Sequence, residues 1–293
     1  MSSRISLKAG PLDLDLAPQA GGAVAAFRWR GFDLWRPMPP GGTVRESSCF
    51  PMLPYTGRIA DGRFPYGGEE FVLPANMAGQ PHAIHGDGWG AEWAVAAQSA
   101  QAVTLVYRHH GGSGWPYRYS AIQAFTLFED GLEIRLTLVN EDTRAFPAGL
   151  GLHPYFTGQE SARLMARLPE IWLMDDRMIP TEREPTPERW DFSGGRPVAG
   201  SGLDHCFAEW DGEAVIHWPD QQVKLQMTAD GLFDHCVVYV PPAKPFFCVE
   251  PTSHRNNAVN QSGDEPPTGL VDLEPGEAVS GRVIFVVRED TAA

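Results

Sequence analysis

Five short segments of this 293-residue chain set ionisable or planar polar side chains among glycine, proline and aromatic residues. They are Thr56-Gly57-Arg58-Ile59-Ala60-Asp61-Gly62-Arg63-Phe64, Pro81-His82-Ala83-Ile84-His85-Gly86-Asp87-Gly88-Trp89, Gly151-Leu152-His153-Pro154-Tyr155-Phe156, Ser201-Gly202-Leu203-Asp204-His205-Cys206-Phe207 and Phe247-Cys248-Val249-Glu250-Pro251-Thr252. Carboxylate, guanidinium and imidazole are the partners that sugar hydroxyls need, and aromatic rings pack on the C–H faces of a pyranose. Arg58, His85, Trp89 and Asp204 suit that work. Ionised Glu250 only accepts and an imidazole such as His153 donates near neutral pH, so the two suit a proton transfer.

Other chemistries are less well served. His82 and His85 lie three apart in a Gly/Pro loop, but no HExxH helix and no third ligand at zinc-like spacing accompanies them, so no metal is expected. His109-His110 beside Gly111-Gly112 reads as an exposed turn between strands. No GxSxG elbow marks a nucleophilic serine, Cys248 reads as a buried strand residue, and no glycine-rich loop has the form that cradles phosphates, so no nucleotide cofactor is implied. Asp204 and Glu250 also have the residue types of a glycosidase pair, which stays open as an alternative. Taken singly, Arg58 also reads as a solvated loop charge and His153 as a core residue at a strand end.

The elements that must carry these residues are strands. Gly 31 and Pro 26 are spread throughout, each interrupting a helix by entropy or a missing donor, and no 3.6-residue apolar period is sustained. Trp93–Ala97, Ala102–Arg108, Tyr119–Phe128, Leu132–Val139, Ala214–Trp218, Val223–Thr228 and Val283–Val287 are short, rich in β-branched or aromatic residues, and bounded by turn residues. Glu129-Asp130-Gly131 predicts a hairpin between Tyr119–Phe128 and Leu132–Val139, its glycine at positive φ. Ala229-Asp230-Gly231 and Glu274-Pro275-Gly276 predict that the meander runs on to the C-terminus. The aperiodic stretch Pro180–Gly202 reads as a long surface excursion bordering a cleft, and residues beyond Glu289 as a frayed tail. The expectation is one all-β domain over residues 1–293, a large antiparallel β-sandwich with few short helices.

The formal net charge of −14 repels phosphate backbones and anionic lipid surfaces, so neither nucleic acid nor membrane is an expected partner. The same field favours neutral sugars over sugar phosphates unless a local basic pocket overrides it. Cys49, Cys206, Cys236 and Cys248 form no CxxC pair, the N-terminus lacks a signal-peptide core, and no apolar run is long enough to span a membrane; a cytoplasmic location is expected.

In this order, the five segments resemble those of the aldose 1-epimerase (galactose mutarotase) family, over roughly Pro54 to Asn260. The resemblance rests on an Arg-Ile followed by a DGRF-like turn, His-Gly near tryptophans, Gly-x-His-Pro-Tyr-Phe, Leu-Asp-His-x-Phe and a late Glu-Pro. It implies the galactose mutarotase-like supersandwich, with a monosaccharide in an open cleft on one sheet and no metal or nucleotide. It also implies that Glu250 is the general base on the anomeric hydroxyl and His153 the general acid on the ring oxygen, with Arg58, His85 and Asp204 holding the sugar. Two positions depart from the pattern: Gly57 stands where many members carry asparagine, and Gly86-Asp87-Gly88-Trp89 replaces a double glycine. The alternatives are a non-catalytic carbohydrate-binding or regulatory protein on the same fold, and a sugar-phosphate mutarotase, for which Arg163, Arg167, Arg183 and Arg189 are too scattered along the chain. Whether the chain is a monomer or a homodimer is open from sequence.

Overall fold

The computed structural model describes residues 4–261 and 268–290. Strands dominate these residues, and helix is confined to six three-residue 3-10 turns. Alternation is what builds the strands: in Gly131–Asn140, GLEIRLTLVN, residues Leu132, Ile134, Leu136 and Leu138 are fully buried while Glu133 and Arg135 point outward.

A nine-stranded antiparallel sheet runs in the order Ala94–Gln98, Ala102–His110, Arg118–Leu127, Gly131–Asn140, Ala278–Glu289, Val223–Ala229, Glu213–Trp218, Arg163–Ala166 and Arg196–Pro197. An eight-stranded sheet holds Pro180–Pro185, Glu170–Met174, Asp204–Ala208, His235–Tyr239, Phe246–Thr252, Gly151–Leu152 and Pro51–Met52 in that order, with Tyr155–Thr157 also pairing with Phe246–Thr252. One hydrophobic cluster takes inward residues from both, among them Leu136 and Phe285 from the first and Phe207, Val238 and Phe247 from the second. Trp35 joins them, its ring 4.9 Å from Phe285 and 6.2 Å from Phe156, edge-on to each. This is the expected all-β sandwich. A four-stranded sheet over Ile5–Asp33 adds Leu12, Leu14 and Phe27 to the same cluster.

The expected hairpin forms, with Leu127 opposite Leu132 and Tyr119 opposite Asn140. Its glycine is needed for a different reason. Gly131 is not among the positive-φ residues; a Cβ there would lie 2.5 Å from the carbonyl oxygen of Phe285 on the neighbouring strand. The meander does not run on: after Ala229-Asp230-Gly231 the chain crosses from the nine-stranded to the eight-stranded sheet, because Asp230 accepts from the backbone N–H of Arg282 and Leu232 rather than closing a two-strand turn. Pro180–Gly202 is less irregular than its composition suggests, since it supplies an edge strand to each large sheet, and none of its residues lines the cleft described below. His109 and His110 belong to a strand, where His109 stacks on Tyr119 at 5.0 Å and bonds Asp87 at 2.7 Å. Of the expected tail beyond Glu289, Asp290 is not frayed, since its N–H donates to the Gln222 carbonyl at 2.7 Å and its carboxylate accepts from Lys224 Nζ at 2.7 Å; residues 291–293 lie outside the described residues. No helix among the described residues is long and apolar enough to cross a membrane.

Candidate active site

The strand Phe246–Thr252 carries the centre of the site. Phe247 and Val249 point into the hydrophobic cluster, so Phe246, Glu250 and Thr252 face the other way, into an open cleft. The neighbouring chain runs antiparallel, with Tyr155 opposite Cys248 and Gly151 opposite Thr252. That register puts His153 across from Glu250. Pro154 and Pro251 cannot donate to the ladder here, and the pairing is interrupted between Leu152 and Tyr155. The imidazole turns into the gap, and His153 Nε2 lies 3.3 Å from Glu250 Oε1. Tyr155 stacks on the His153 ring at 4.5 Å and Phe50 packs on it at 4.6 Å, holding its orientation.

Arg58 and His85 come from a two-residue ladder in which Arg58 pairs with Ile84. Gly57 and His85 clamp each other: the His85 N–H donates to the Gly57 carbonyl at 2.8 Å, and the Gly57 N–H donates to His85 Nδ1 at 3.1 Å. Nδ1 is therefore the acceptor nitrogen and the ring proton of neutral His85 sits on Nε2. Asn76 secures the same loop by donating to the carbonyls of Ile84 and Gly86 and accepting from the Ile84 N–H. Asp204 begins the strand Asp204–Ala208, opposite Tyr239.

All five residues expected at a sugar site, Arg58, His85, His153, Asp204 and Glu250, line one cleft of about 360 Å³. That volume falls within the ~300–1,000 Å³ of small-molecule sites. Trp89 does not join them. It is buried, its Nε1 donates to the carbonyls of Ile84 and Gly86, and its ring lies on the far side of the loop against a second cavity that Asp87 also lines. It braces the His85 loop instead of offering a face to a ligand. Sequence reasoning missed Arg36, Arg45 and Tyr239 in the lining; only the fold brings Arg36 and Arg45 beside segments a hundred or more residues away.

Gly57 has a structural reason. Its φ is +63°, and a Cβ added to it would come within 1.6 Å of Asn256 Oδ1. Asn256 lines the cleft, so a side-chain amide does reach this place, from the loop after Glu250 and not from the residue before Arg58.

Burial sets the electrostatics. Glu250 is 3% exposed, and loss of solvent raises its pKa well above the ordinary carboxylate range; the Asp204 charge adds to this and Arg58 opposes it. Burial also pushes His153 down to about 3, helped by the Arg36 and Arg58 charges, and holds His85 well below the usual imidazole range. Asp204 is raised by burial against the pull of Arg58. Both shifts favour the neutral forms of His153 and Glu250. Arg58 Nε and His153 Nδ1 are buried without a hydrogen-bond partner, which a native site tolerates where a ligand supplies one.

His82 and His85 do not converge. His82 Nδ1 accepts from the Asp61 N–H at 2.9 Å and its Nε2 lies 3.1 Å from the Arg177 carbonyl. The trio that brings ligand atoms together among the described residues is His153, Cys248 and Glu250, all within 4.8 Å of one another. Burial keeps the Cys248 thiol protonated, which works against the thiolate a soft metal takes.

The aldose 1-epimerase family model matches residues 5–286. The uncharacterized protein YphB of Escherichia coli (strain K12) is 32% identical over 294 residues, covering 95% of this chain and 96% of its own. Galactose mutarotase of Mus musculus is 27% identical over 152 residues, 50% of this chain and 42% of that protein. A solved structure from Escherichia coli K12, a candidate aldose 1-epimerase, matches with a TM-score of 0.91 at 30% identity, covering 98% of this chain and 99% of that one.

Proposed function

The chain belongs to the aldose 1-epimerase family, and from that premise we propose that it interconverts the α and β anomers of a free aldose by opening and reclosing the ring. The observation that carries this reading is the contact of 3.3 Å between His153 Nε2 and Glu250 Oε1, in a cleft that Arg58, His85 and Asp204 also line. Arg58 and the Nε2–H of His85 donate to sugar oxygens, and Asp204 accepts from a hydroxyl.

The pair carries one exchangeable proton at zero net charge, on either the carboxyl or the imidazole. Sugar hydroxyls and Arg58 solvate the carboxylate, so bound substrate favours the ion pair. Glu250 then takes the proton of the C1 hydroxyl as the C1–O5 bond breaks, and O5 takes the proton of His153. This flow discharges two buried ions and leaves the neutral pair that burial prefers, which offsets part of the cost of opening the ring. The aldehyde turns about C1–C2, O5 attacks the other face, and each proton returns along its path. No metal or nucleotide enters the cycle.

Anomeric-proton NMR on freshly dissolved α-aldoses tests this. Wild type is expected to speed equilibration, and Glu250→Gln and His153→Ala to lose about 10²–10⁴ of that acceleration, the usual share of one acid or base. Excess chelator should leave the rate unchanged. If no aldose equilibrates faster than in buffer, the proposal fails. The reading takes the chain as one domain, supported by the cluster that runs through both large sheets, and places it in the cytoplasm, supported by four free, buried cysteines.

A further inference from the structure

The segment Gly86-Asp87-Gly88-Trp89, where the chain departs from the pattern it otherwise resembles, follows a backbone of unusual shape. His85 and Gly86 take φ of +59° and +70° in succession, two left-handed residues of which only one is a glycine. Such a conformation persists where its surroundings over-determine it. Gly86 is pinned by Leu53, since a Cβ on it would lie 1.9 Å from the Leu53 carbonyl oxygen. The next residue, Asp87, supplies a second hold.

Asp87 is the hub of a polar cluster outside the sugar cleft. Its Oδ1 accepts from the Tyr119 hydroxyl at 2.5 Å; its Oδ2 accepts from the Tyr107 hydroxyl at 2.9 Å and lies 2.7 Å from His109 Nδ1. On the other side of that ring, His109 Nε2 lies 2.7 Å from the Trp115 carbonyl oxygen. Both ring nitrogens therefore face acceptors. A neutral imidazole has one N–H and one lone pair, so the bare nitrogen would confront an oxygen at either place, whereas an imidazolium donates to both. The two phenols that donate to Asp87 stabilise its carboxylate and keep the shared proton on the ring. Asp87 and His109 thus form an ion pair, with 19% and 10% of their side chains exposed.

The other titratable groups that face the pair are Tyr55, Tyr107 and Tyr119, whose hydroxyls stay protonated because burial, and then the Asp87 charge, raise them. Burial works against a charged His109, but Asp87 and the Trp115 carbonyl together hold it above the ordinary imidazole range. The pair is therefore complete at neutral pH and is lost as pH rises through the raised value. Tyr107, His109 and Tyr119 stand on strands of the nine-stranded sheet, whereas Glu250 stands on the eight-stranded one. Asp87 is thus the point at which the loop that brings His85 to the cleft is moored to the opposite sheet.

We propose that Asp87 and His109, as a carboxylate–imidazolium pair, are positioning residues that hold the His85 loop in its left-handed shape and so aim the His85 ring at the sugar. The proposal rests on the mutarotase reading only for what His85 meets in the cleft.

Histidine-labelled protein separates the mooring from turnover. Ring-nitrogen NMR shifts should show His109 doubly protonated at neutral pH and titrating above the ordinary imidazole range. Asp87→Asn should lower that midpoint by about one pH unit or more, the usual effect of losing an opposite charge. The amides of His85 and Gly57, which donate to the Gly57 carbonyl and to His85 Nδ1, report the loop. Corrected for the intrinsic pH dependence of exchange, their protection should fall about tenfold or more as His109 loses its proton, and should be low at every pH in Asp87→Asn and His109→Gln. Amides of the strand Val223–Ala229 should keep their protection throughout, which separates a local loosening from a loss of stability. On α-glucose or α-galactose both variants should raise KM about threefold or more with kcat changed less, as loss of a ground-state contact does. A His109 midpoint within or below the ordinary range, level protection at His85 and Gly57 through a raised midpoint, or kcat lost with KM unchanged in both variants overturns the proposal. The wild-type titration decides it even where neither variant folds. Anomeric exchange on free aldoses decides the mutarotase reading separately, so either can fail while the other stands.

Discussion

At Glu250 burial and charge oppose the role of a base, and the opposition is measurable. Because burial and Asp204 both raise its pKa, the one proton that the pair shares is lost only as pH rises through a value above the ordinary carboxylate range. The alkaline limb of kcat should accordingly report that loss, and Asp204→Asn should move it downward; a limb that stays in place would remove Asp204 as a cause. Gly57 gives a second test at this scale. Gly57→Ala meets both a positive φ and Asn256 Oδ1, so it should destabilise by about 1–3 kcal/mol in urea melts. Adding Asn256→Gly should recover the part due to the collision but not the part due to φ. The five residues that meet in the cleft were legible as candidates because each sits in a segment with its own pattern of glycine, proline and aromatic neighbours. Trp89 was misread, since the sequence says nothing of which side of its loop it takes. Asn256, Arg36 and Arg45 carried no local signal: what each does depends on chain that lies far off in sequence.

The strand and the turn are the units that place these residues. His153 faces Glu250 because Tyr155 and Gly151 fix the register on either side of a gap that two prolines open. The strands were readable from alternation, but the gap was not, since it depends on two segments that pair only in the fold. The hairpin at Gly131 shows a similar division. Its position followed from turn residues, while its glycine answers to Phe285 on a strand 150 residues away. Gly131→Ala should therefore cost about 1–3 kcal/mol although its φ suits any residue, as overpacking does; a variant as stable as wild type would return the glycine to a turn role. Asn76→Ala removes three bonds to the His85 loop and should raise KM for sugar more than it lowers kcat.

For the whole molecule, the buried titratable groups set how stability follows pH. His85, His153 and His254 are held neutral by burial, the last two at about 3 and about 4, so unfolding in mild acid takes up protons. Their contribution is full above the unfolded pKa near 6.5 and is lost as pH falls toward the folded values. Glu250 and Asp204, raised by burial, act the other way, since their penalty grows as pH rises past the unfolded carboxylate range. Between pH 6.5 and 4.5 three groups oppose two, and stability should fall on acidification, each group contributing at most about 1.4 kcal/mol per pH unit. His254→Gln, which keeps a donor and an acceptor for Arg255 and Thr56, should flatten that slope; an unchanged slope would sink the account. The sandwich and its class were legible from composition and punctuation. The sheet crossing near Asp230 and the meeting of Arg36, Arg45 and Arg58 in one cleft wall were not, because both depend on which segments become neighbours.

Gly57 and Asn256 finally bear on descent. One amide fits between them, and it can be rooted on either side, so a lineage that moved it from one position to the other had to pass through an ancestor with two side chains in one space or with none. The loss of the old amide and the gain of the new one are then expected to fall on the same branch of the family tree, and libraries that vary one position at a time will not find the exchange.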